Sequence, residues 1–363
     1  MARERETVWA ATRRYEAWVK TCGVTVAAGF AEKHRRMTKT PFAFLRGSFY
    51  RWVDVWRAAC PDLARAPQVL GVGDLHIENF GTWRDADGRL VWGVNDFDET
   101  ARMPYTLDLV RLATSALLVQ RDGGLELHPG QICSAILQGY GDALAVGGHA
   151  FVLEERHADL RALALSADRE PVAFWNKLTA LPSAPAPPQV RSMLSRHLPA
   201  PRLALRIAQR TAGVGSLGRP RLVALAAWNG GLVAREAKAL LPSAYDWALN
   251  RPLKPPRGAH LVAAAVRCQD PTYRIDRAAG RDWVVRRLAP HCSRIELSEL
   301  PGRRDETALL KAMGAETANL HLASRAAIPA VRADLARRRG RWLQAAGETM
   351  MAATLEDWED WCR

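Results

Sequence analysis

GVGDLHIENFG (Gly71–Gly81) and VWGVNDFDE (Val91–Glu99) are the two stretches of this 363-residue chain that decide its fold. In each, an apolar run with strand character ends in acidic and amide side chains. Between them, Asp87-Gly88 favours a tight turn, so the second run is predicted to return as the second strand of a hairpin. We therefore expect the polar residues of the two stretches to converge at one site.

The polar residues of these stretches suit a metal ion and a phosphate. Asp74 and Asn79, five residues apart in a loop, place a carboxylate and an amide oxygen around one site. Asp96 and Asp98 offer further carboxylate oxygens at the end of the returning strand. Magnesium prefers such hard oxygen ligands, takes few of them from the protein, and completes its shell with water and phosphate oxygens. Each residue alone is also a common turn former, but the ordered set is typical of a site for magnesium and phosphate.

Length and composition restrict the class of protein. A chain of 363 residues suggests one bilobal unit or two domains, and 48% apolar with 25% charged residues is ordinary for a globular protein. There is no apolar run of about 18 residues, so no transmembrane helix is predicted, and the N-terminus has no secretory signal. The six cysteines form no CxxC pair, which argues against a zinc site or a disulfide framework. We expect a cytoplasmic protein without a membrane partner.

The net charge of +13 could attract nucleic acid or another anionic partner. However, the basic residues are mostly arginines scattered through Ala- and Arg-rich segments, and no dense basic block is interleaved with aromatic residues. This pattern disfavours nucleic acid as a partner. Only seven of the 51 basic residues are lysines, so a lysine at a special position is less easily accidental.

Periodicity gives a coarse secondary structure. Segments 5–35, 40–56 and 105–120 have the apolar spacing of helices, and the second begins at a Thr-Pro start signal. Segment 67–75 is predicted to be a short apolar strand that runs into a turn. The Pro-rich segment 181–190 is the clearest boundary, and predicted strands follow it.

The sequence GDLHIENF…NDFDE…YTLDLVRLA resembles the catalytic core of aminoglycoside- and choline-kinase-like phosphotransferases, and more loosely that of protein kinases. The resemblance implies that Asp74 is the catalytic base or orienting carboxylate. It implies that Asn79 and Asp96 are magnesium ligands, with Asp98 as a further one. Asp108, in the following helix, would brace the catalytic loop. ATP and magnesium are the implied cofactors.

A glycine-rich segment, GVGSLG, supplies a candidate for the phosphate-binding loop. A dinucleotide-binding fold would need a helix opening at these glycines, and Pro220 with the following turn leaves too little room for one. A strand–turn–strand hairpin fits better, as in the glycine-rich loop of kinases. The returning strand ends in Lys238, with Arg235 as its rival for contact with phosphate. The predicted nucleotide-binding residues are Gly213, Val214, Gly215, Ser216, Leu217, Gly218 and Lys238.

The glycine-rich segment follows the catalytic motifs, whereas in ordinary kinases it precedes them. The predicted fold is therefore α+β, a bilobal protein-kinase-like fold that is circularly permuted. Residues 1–200 would form a mainly helical C-lobe with the catalytic and metal loops. Residues 203–300 would form a small antiparallel-sheet N-lobe that clamps the nucleotide, and 304–363 would be helices completing the C-lobe.

Most of the chain also resembles a bacterial family catalogued as domain of unknown function 2252. The resemblance rests on the segments Pro41–Gly47, Gly73–Gly81, Asn95–Glu99 with Leu107–Ala113, and Gly213–Gly218, and on Lys238 with the following Pro-Ser. The spacing from lysine to proline favours Lys238 over Arg235. The family name implies no activity.

The function expected from these motifs is an ATP- and magnesium-dependent phosphotransferase that acts on an unidentified hydroxyl-bearing acceptor. One departure keeps other functions open. The lysine of a protein kinase pairs with a glutamate on the next helix, and here Asp246 and Asp270 are the first acidic residues after Lys238. The alternatives are a nucleotide-binding, pseudokinase-like regulator and an adenylyl transferase.

Overall fold

The protein has a mixed α+β fold with small antiparallel sheets. Among the described residues, every helix is too short or too polar to span a bilayer. Part of the predicted sheet segment (293–300) and the first residue of the predicted C-terminal helices lie outside the described residues. The computed structural model describes residues 6–23, 25–154, 157–165, 170–292 and 305–363.

Helices account for most of the regular structure, at both ends of the chain. The α-helices of the described residues are α1 (Val8–Thr21), α2 (Ala27–Met37), α3 (Pro41–Gly47), α4 (Phe49–Ala59), α5 (Tyr105–Arg121), α6 (Pro129–Val146), α7 (Ala158–Ala164), α8 (Pro171–Thr179), α9 (Pro188–Arg196), α10 (Ala244–Ala248), α11 (Gly258–Ala264), α12 (Glu306–His321), α13 (Ile328–Arg337) and α14 (Trp342–Cys362).

Within the described ranges, the strands form three antiparallel sheets: a pair β1–β4, a three-stranded sheet β2–β3–β5, and a five-stranded sheet in the order β6–β7–β8–β10–β9. The predicted hairpin around Asp87-Gly88 is confirmed as β2–β3. The strands are β1 (Gln68–Gly71), β2 (Phe80–Arg84), β3 (Leu90–Val94), β4 (Ala101–Pro104), β5 (Phe151–Val152), β6 (Leu205–Gln209), β7 (Arg221–Trp228), β8 (Gly231–Ala239), β9 (Arg274–Ala278) and β10 (Arg281–Leu288).

Two predicted helices are each broken in two. The single helix expected over 5–35 is wrong, because Gly23 takes a φ of 128° that ends α1, and α2 starts only at Ala27. The Thr-Pro start is confirmed: the Thr40 side chain accepts the N–H of Ala43, and Pro41 is the first helical residue. That helix ends at Ser48, whose backbone is not helical, so α4 leaves in a new direction.

Helix α5 lies at the centre of the largest hydrophobic cluster, and α1–α6 with α12–α14 pack around this cluster. We call these nine helices the helical body. All residues of α5 from Tyr105 to Val119 are buried, polar ones included. Helices α6 and α12 cross at two glycines: a Cβ on Gly139 would lie 1.9 Å from the Lys311 carbonyl oxygen, and one on Gly314 would lie 2.1 Å from that of Ile136. The two backbones therefore touch.

The five-stranded sheet has two different faces. One face carries apolar residues such as Leu222, Ala237 and Val285, and packs against α9. The other face carries Glu236 and Lys238, which alternate with Arg235 and Ala237 along β8. This second face is turned toward the helical body and leaves a cleft between them.

The contact of α6 with α12 can be tested with two glycines of the same helix. Gly139→Ala should destabilise the fold by about 1–3 kcal/mol, because the added methyl group meets backbone that cannot move aside cheaply. A Cβ on Gly141 meets nothing within 4 Å, so Gly141→Ala should stabilise by about 0.5–1 kcal/mol through helix propensity. Urea unfolding followed by circular dichroism measures both. Equal stabilities of the two variants would contradict the close crossing.

Candidate functional site

A cleft of about 670 Å³ lies between the helical body and the second face of the five-stranded sheet. Asp74, Asn79, Asp96 and Asp98 line it from the side of the body, and residues 213–216 of the glycine-rich loop line it from the side of the sheet. Its volume is in the range of small-molecule sites. The predicted meeting of the acidic motifs with the glycine-rich loop is therefore present.

Asp74 lies at the end of the loop after β1 and pairs with Arg111 of α5. The Arg111 Nε donates to Asp74 Oδ1 at 3.0 Å, and the guanidinium is fully buried against the rings of Phe49 and Trp52. Burial raises the pKa of Asp74, and this effect outweighs the opposing charge of Arg111. A carboxylate with a raised pKa is a better proton acceptor than an exposed one.

The loop that carries Asp74 is held by Asp108. The Asp108 carboxylate accepts the N–H groups of Val72 at 2.7 Å and Gly73 at 2.8 Å, so the predicted bracing contact is confirmed. His321 Nε2 lies 3.0 Å from the same carboxylate, and its Nδ1 lies 2.9 Å from the Tyr140 hydroxyl. All of these side chains are fully buried, so the position of Asp74 is fixed from inside the helical body.

Asn79 and Asp96 both line the floor of the cleft. The Asn79 Nδ2 donates to the Asp74 carbonyl at 2.9 Å, which makes Oδ1 the amide atom that could contact a cation. The Asp96 side chain exposes 43% of its surface, whereas that of Asp98 exposes 11%. Two carboxylates and an amide fit a magnesium ion that keeps most of its shell for water and phosphate. No group of three His, Cys, Asp or Glu side chains forms a metal cage within the described ranges.

Lys238 in β8 forms ion pairs with both acids of the floor. Its Nζ lies 3.0 Å from Asp96 Oδ1 and 2.7 Å from Asp98 Oδ1. Within the described residues, Lys238 pairs with these two acids and with neither Asp246 nor Asp270, the first acidic residues after it in the chain. Arg235 points to the other face of the strand, where its Nε donates to the His197 carbonyl. The geometry therefore favours Lys238 over its rival.

The two acids respond differently to their surroundings. Burial raises the pKa of Asp96, but the positive charges of Lys238 and Arg286 outweigh burial and hold it well below its usual value. Burial and the neighbouring Asp96 charge raise the pKa of Asp98 to about 6, against the charges of Lys238 and Arg219. Asp96, the more exposed of the two, therefore carries the permanent negative charge of the floor.

The glycine-rich loop joins β6 to β7 and rests on the helical body. Residues Gly213, Val214, Gly215 and Ser216 line the cleft, whereas Leu217 and Gly218 do not. The Gly218 carbonyl accepts the N–H of Val26, and Gly218 packs against the Phe30 ring with a φ of 93°. A Cβ on Gly215 would lie 3.5 Å from Asp74 Oδ2. The loop therefore covers Asp74 directly.

A charge cluster around Glu236 was not predicted from the sequence. This carboxylate is 1% exposed and pairs with the guanidinium groups of Arg210, Arg221 at 3.0 Å and Arg286 at 3.0 Å. The three arginines line the cleft beside the glycine-rich loop, and Arg221 also donates to Ser216 Oγ at 2.7 Å. The alternation of residues along β8 could have indicated Glu236, because it shares a strand face with Lys238. Arg111 was also not predicted, although its place one helical turn after Asp108 could have indicated it.

The charge cluster predicts a stability that depends on pH. Burial raises the pKa of Glu236, but its three arginines outweigh burial and hold it well below its ordinary value. Glu236 therefore stabilises the fold above about pH 4.3, its unfolded pKa, and this contribution is lost as the pH falls toward the folded pKa. Glu236→Gln should cost about 3–5 kcal/mol at pH 7, since it leaves buried guanidinium groups without a counter-charge.

Denaturant unfolding from pH 7 down to pH 3 measures this effect. The difference between the wild type and Glu236→Gln should stay constant to about pH 5 and shrink below about pH 4. Glu359→Gln, at an exposed position of α14, is the control and should lie within about 0.5 kcal/mol of the wild type. A Glu236→Gln effect that grows as the pH falls would contradict the assignment.

Comparison with known proteins gives one family. Residues 25–172 match a family described as an uncharacterized protein conserved in bacteria (DUF2252). The matched range includes Asp74, Asn79 and Asp96, and ends before the glycine-rich loop and Lys238. No curated protein matches the chain. No solved structure matches it either.

Proposed function

We propose that this protein is an ATP- and magnesium-dependent phosphotransferase with a circularly permuted, bilobal kinase-like fold. The observation that carries the proposal is the convergence of Asp74, Asn79 and Asp96 with the glycine-rich loop around one cleft. In protein kinases a glycine-rich loop covers the phosphates, and the phosphate-binding lysine is on the third strand of the sheet. Here the loop joins the first two strands of the five-stranded sheet, and Lys238 is on the third, β8.

The lining of the cleft supports a nucleotide. Phe174, Leu178 and Leu288 line one part of it and belong to an apolar cluster on the sheet, which suits a nucleobase. Three guanidinium groups surround the Glu236 carboxylate beside the glycine-rich loop. Together these four groups carry a net charge of two positive units. Phosphate groups are bound well by such arginines and by backbone N–H groups of a glycine-rich loop.

In the proposed reaction, Asp74 accepts the proton of the acceptor hydroxyl. The oxygen attacks the γ-phosphorus of ATP, the bond to the β-phosphate oxygen breaks, and ADP leaves. A magnesium ion bound by Asn79 and Asp96, with Asp98 as a further ligand, would neutralise phosphate charge. Arg111 keeps Asp74 in position, and the covering glycine-rich loop keeps water from its carboxylate.

Mg·ATP binding is the first test. Mg·ATP should raise the melting temperature of the wild type, and the effect should require magnesium. Asp96→Asn should weaken the magnesium-dependent affinity by about tenfold to a hundredfold, because an ionised ligand is lost. Calorimetric titration measures this, and Asp122→Asn, at the exposed end of α5, is the matched control. Unchanged Mg·ATP affinity in Asp96→Asn would sink the proposed metal site.

Asp74→Asn should keep Mg·ATP affinity but slow ATP turnover, against a pool of hydroxyl compounds, by about 10²–10⁴-fold. Mass spectrometry of the products separates phosphoryl from adenylyl transfer by the mass of the group added. Turnover that is equal in Asp74→Asn and the wild type would exclude Asp74 as the base. If Mg·ATP binds tightly and no group is transferred by the wild type, a nucleotide-binding regulator replaces this proposal.

Lys238 and Arg235 form a matched pair on opposite faces of β8. Lys238→Met should weaken Mg·ATP binding by about tenfold or more, since a charged contact to phosphate contributes about 1.5–3 kcal/mol. Arg235→Met should leave Mg·ATP affinity within about twofold of the wild type, because its side chain lies on the opposite face of β8 from Asp96 and Asp98 and donates to the His197 carbonyl. Calorimetric titration compares the two variants after circular dichroism has established that both fold. An equal loss of affinity in both would reject the assignment of Lys238.

A further inference from the structure

Lys33 of α2 is a buried lysine at the edge of the cleft that the proposed transfer does not use. Its side chain lines the cleft and exposes only 2% of its surface. The ammonium lies 5.5 Å from the centre of the Tyr15 ring and 5.0 Å from that of Tyr50, and these two rings stack on each other. Within the described part of the chain, Lys33 has no hydrogen-bond acceptor and no ion pair.

An ammonium in such a place is costly, because burial removes its water. Burial lowers the pKa of Lys33 to about 8, although the negative charges of Glu16, Glu99 and Asp74 act in the opposite direction. Lys33 is therefore still charged at neutral pH. The two aromatic faces replace only part of the lost hydration. An anion entering the cleft would supply the missing counter-charge.

A second cation lies in the same part of the cleft. Arg219, which follows the glycine-rich loop, is 7% exposed in its side chain. Burial lowers the pKa of Lys33, and the Arg219 charge adds to this effect. Burial raises the pKa of Tyr15, and the Arg219 charge opposes that effect. Arg219 pairs with Glu99 at 3.2 Å and with Asp98 at 3.4 Å. Lys33, Arg219 and the Asp74 carboxylate therefore line one space, in which a proton acceptor stands beside two cations.

This space suits a small molecule rather than a polypeptide. The glycine-rich loop is fixed to the helical body, since Val214 is buried in a cluster with Met37, Phe44 and Trp361. The Gly218 carbonyl accepts the Val26 N–H at the other end of the loop. Asp74 is covered by this loop, and its side chain exposes only 20% of its surface. This limited access to Asp74 favours a small acceptor over an extended peptide.

We propose that Lys33 is the anion-binding residue of the acceptor pocket, and that the acceptor is a small hydroxyl compound bearing a carboxylate or a phosphate group. The acceptor role rests on the proposed function, whereas the anion site does not. The hydroxyl would face Asp74, and the anionic group would pair with the Lys33 ammonium, supported by Arg219. A neutral sugar or alcohol would leave the buried Lys33 ammonium without a hydrogen-bonded anion, so the site should bind such a compound more weakly.

Binding of matched anionic and neutral compounds tests the site without nucleotide. The probes are gluconate against glucitol and glycerol 3-phosphate against glycerol, at constant ionic strength, followed by melting temperature and calorimetric titration. At least one anion should stabilise the wild type while its neutral partner does not. Lys33→Met should weaken that binding at least tenfold, and Lys33→Arg should retain part of it. Lys20→Met is the matched control, since Lys20 also lies over an aromatic ring but is exposed and outside the cleft.

The outcomes separate this inference from the proposed function. If no anion stabilises the wild type, or if Lys33→Met and Lys20→Met bind the anion equally, the anion site is wrong. Loss of Mg·ATP affinity in Lys33→Met without any effect on the anions would assign Lys33 to the nucleotide and overturn the proposal. If Mg·ATP does not bind the wild type while the anion site behaves as expected, the phosphotransferase is wrong and the site stands. If Lys33→Met does not fold, Lys33→Arg decides. Anion binding that is weakened but not lost in Lys33→Arg, with full binding in Lys20→Met, supports the site. Anion affinity that is equal in Lys33→Arg and the wild type refutes it.

Discussion

The ammonium of Lys238 lies between two carboxylates, and this charge contact fixes the five-stranded sheet against the helical body. Lys238 is 3% exposed and pairs with Asp96 and Asp98, which follow β3 and line the cleft on the side of the helical body. Burying the Lys238 ammonium without its two carboxylate partners would cost several kcal/mol. Separating the sheet from these acids is therefore unfavourable unless water reaches the charged groups. This contact joins the sheet to the acidic floor of the cleft.

Further contacts of the same segment reinforce the junction. Glu99, three residues after Asp96, accepts the N–H of Ala244 at 2.6 Å and the Ser243 hydroxyl, and so caps the short helix that follows β8. The Arg286 side chain of β10 donates to the Asn95 carbonyl at 3.1 Å. The five residues from Asn95 to Glu99 therefore connect to three separate parts of the sheet segment. A shift in the position of the sheet would therefore displace the residues at the floor of the cleft.

Helix α5 prepares the other half of the site. Asp108 and Arg111 are one turn apart and lie on one face, as the helical repeat requires. The first holds the backbone of the loop before Asp74, and the second pairs with the Asp74 carboxylate. Since α5 is buried along its length, both groups are held rigidly and fix the position of Asp74. In the proposed phosphotransferase, such preorganisation would lower the cost of aligning a substrate hydroxyl with a phosphate.

The sequence by itself determined the local features. These are the β2–β3 hairpin, the Thr40 cap, helix α5, the strand pair around Asn229-Gly230, and the identities of Asp74, Asn79, Asp96 and Lys238 as the residues to examine. Turn residues, alternation and helical spacing are local properties, so they can be predicted from neighbouring residues. The break between α1 and α2 was missed because a single glycine with a positive φ outweighed a long apolar pattern.

Only the tertiary structure decided which charges meet. Lys238 pairs with acids about 140 residues earlier in the chain. Glu236 pairs with arginines of β7 and β10 and with Arg210, which follows β6. Lys33 is enclosed by tyrosines from α1 and α4. A strand pattern shows that Lys238 and Arg235 face opposite sides, but not which side is the cleft. That choice depends on which face of the sheet packs against α9, and hence on the burial of apolar area over the whole molecule rather than on any local pattern.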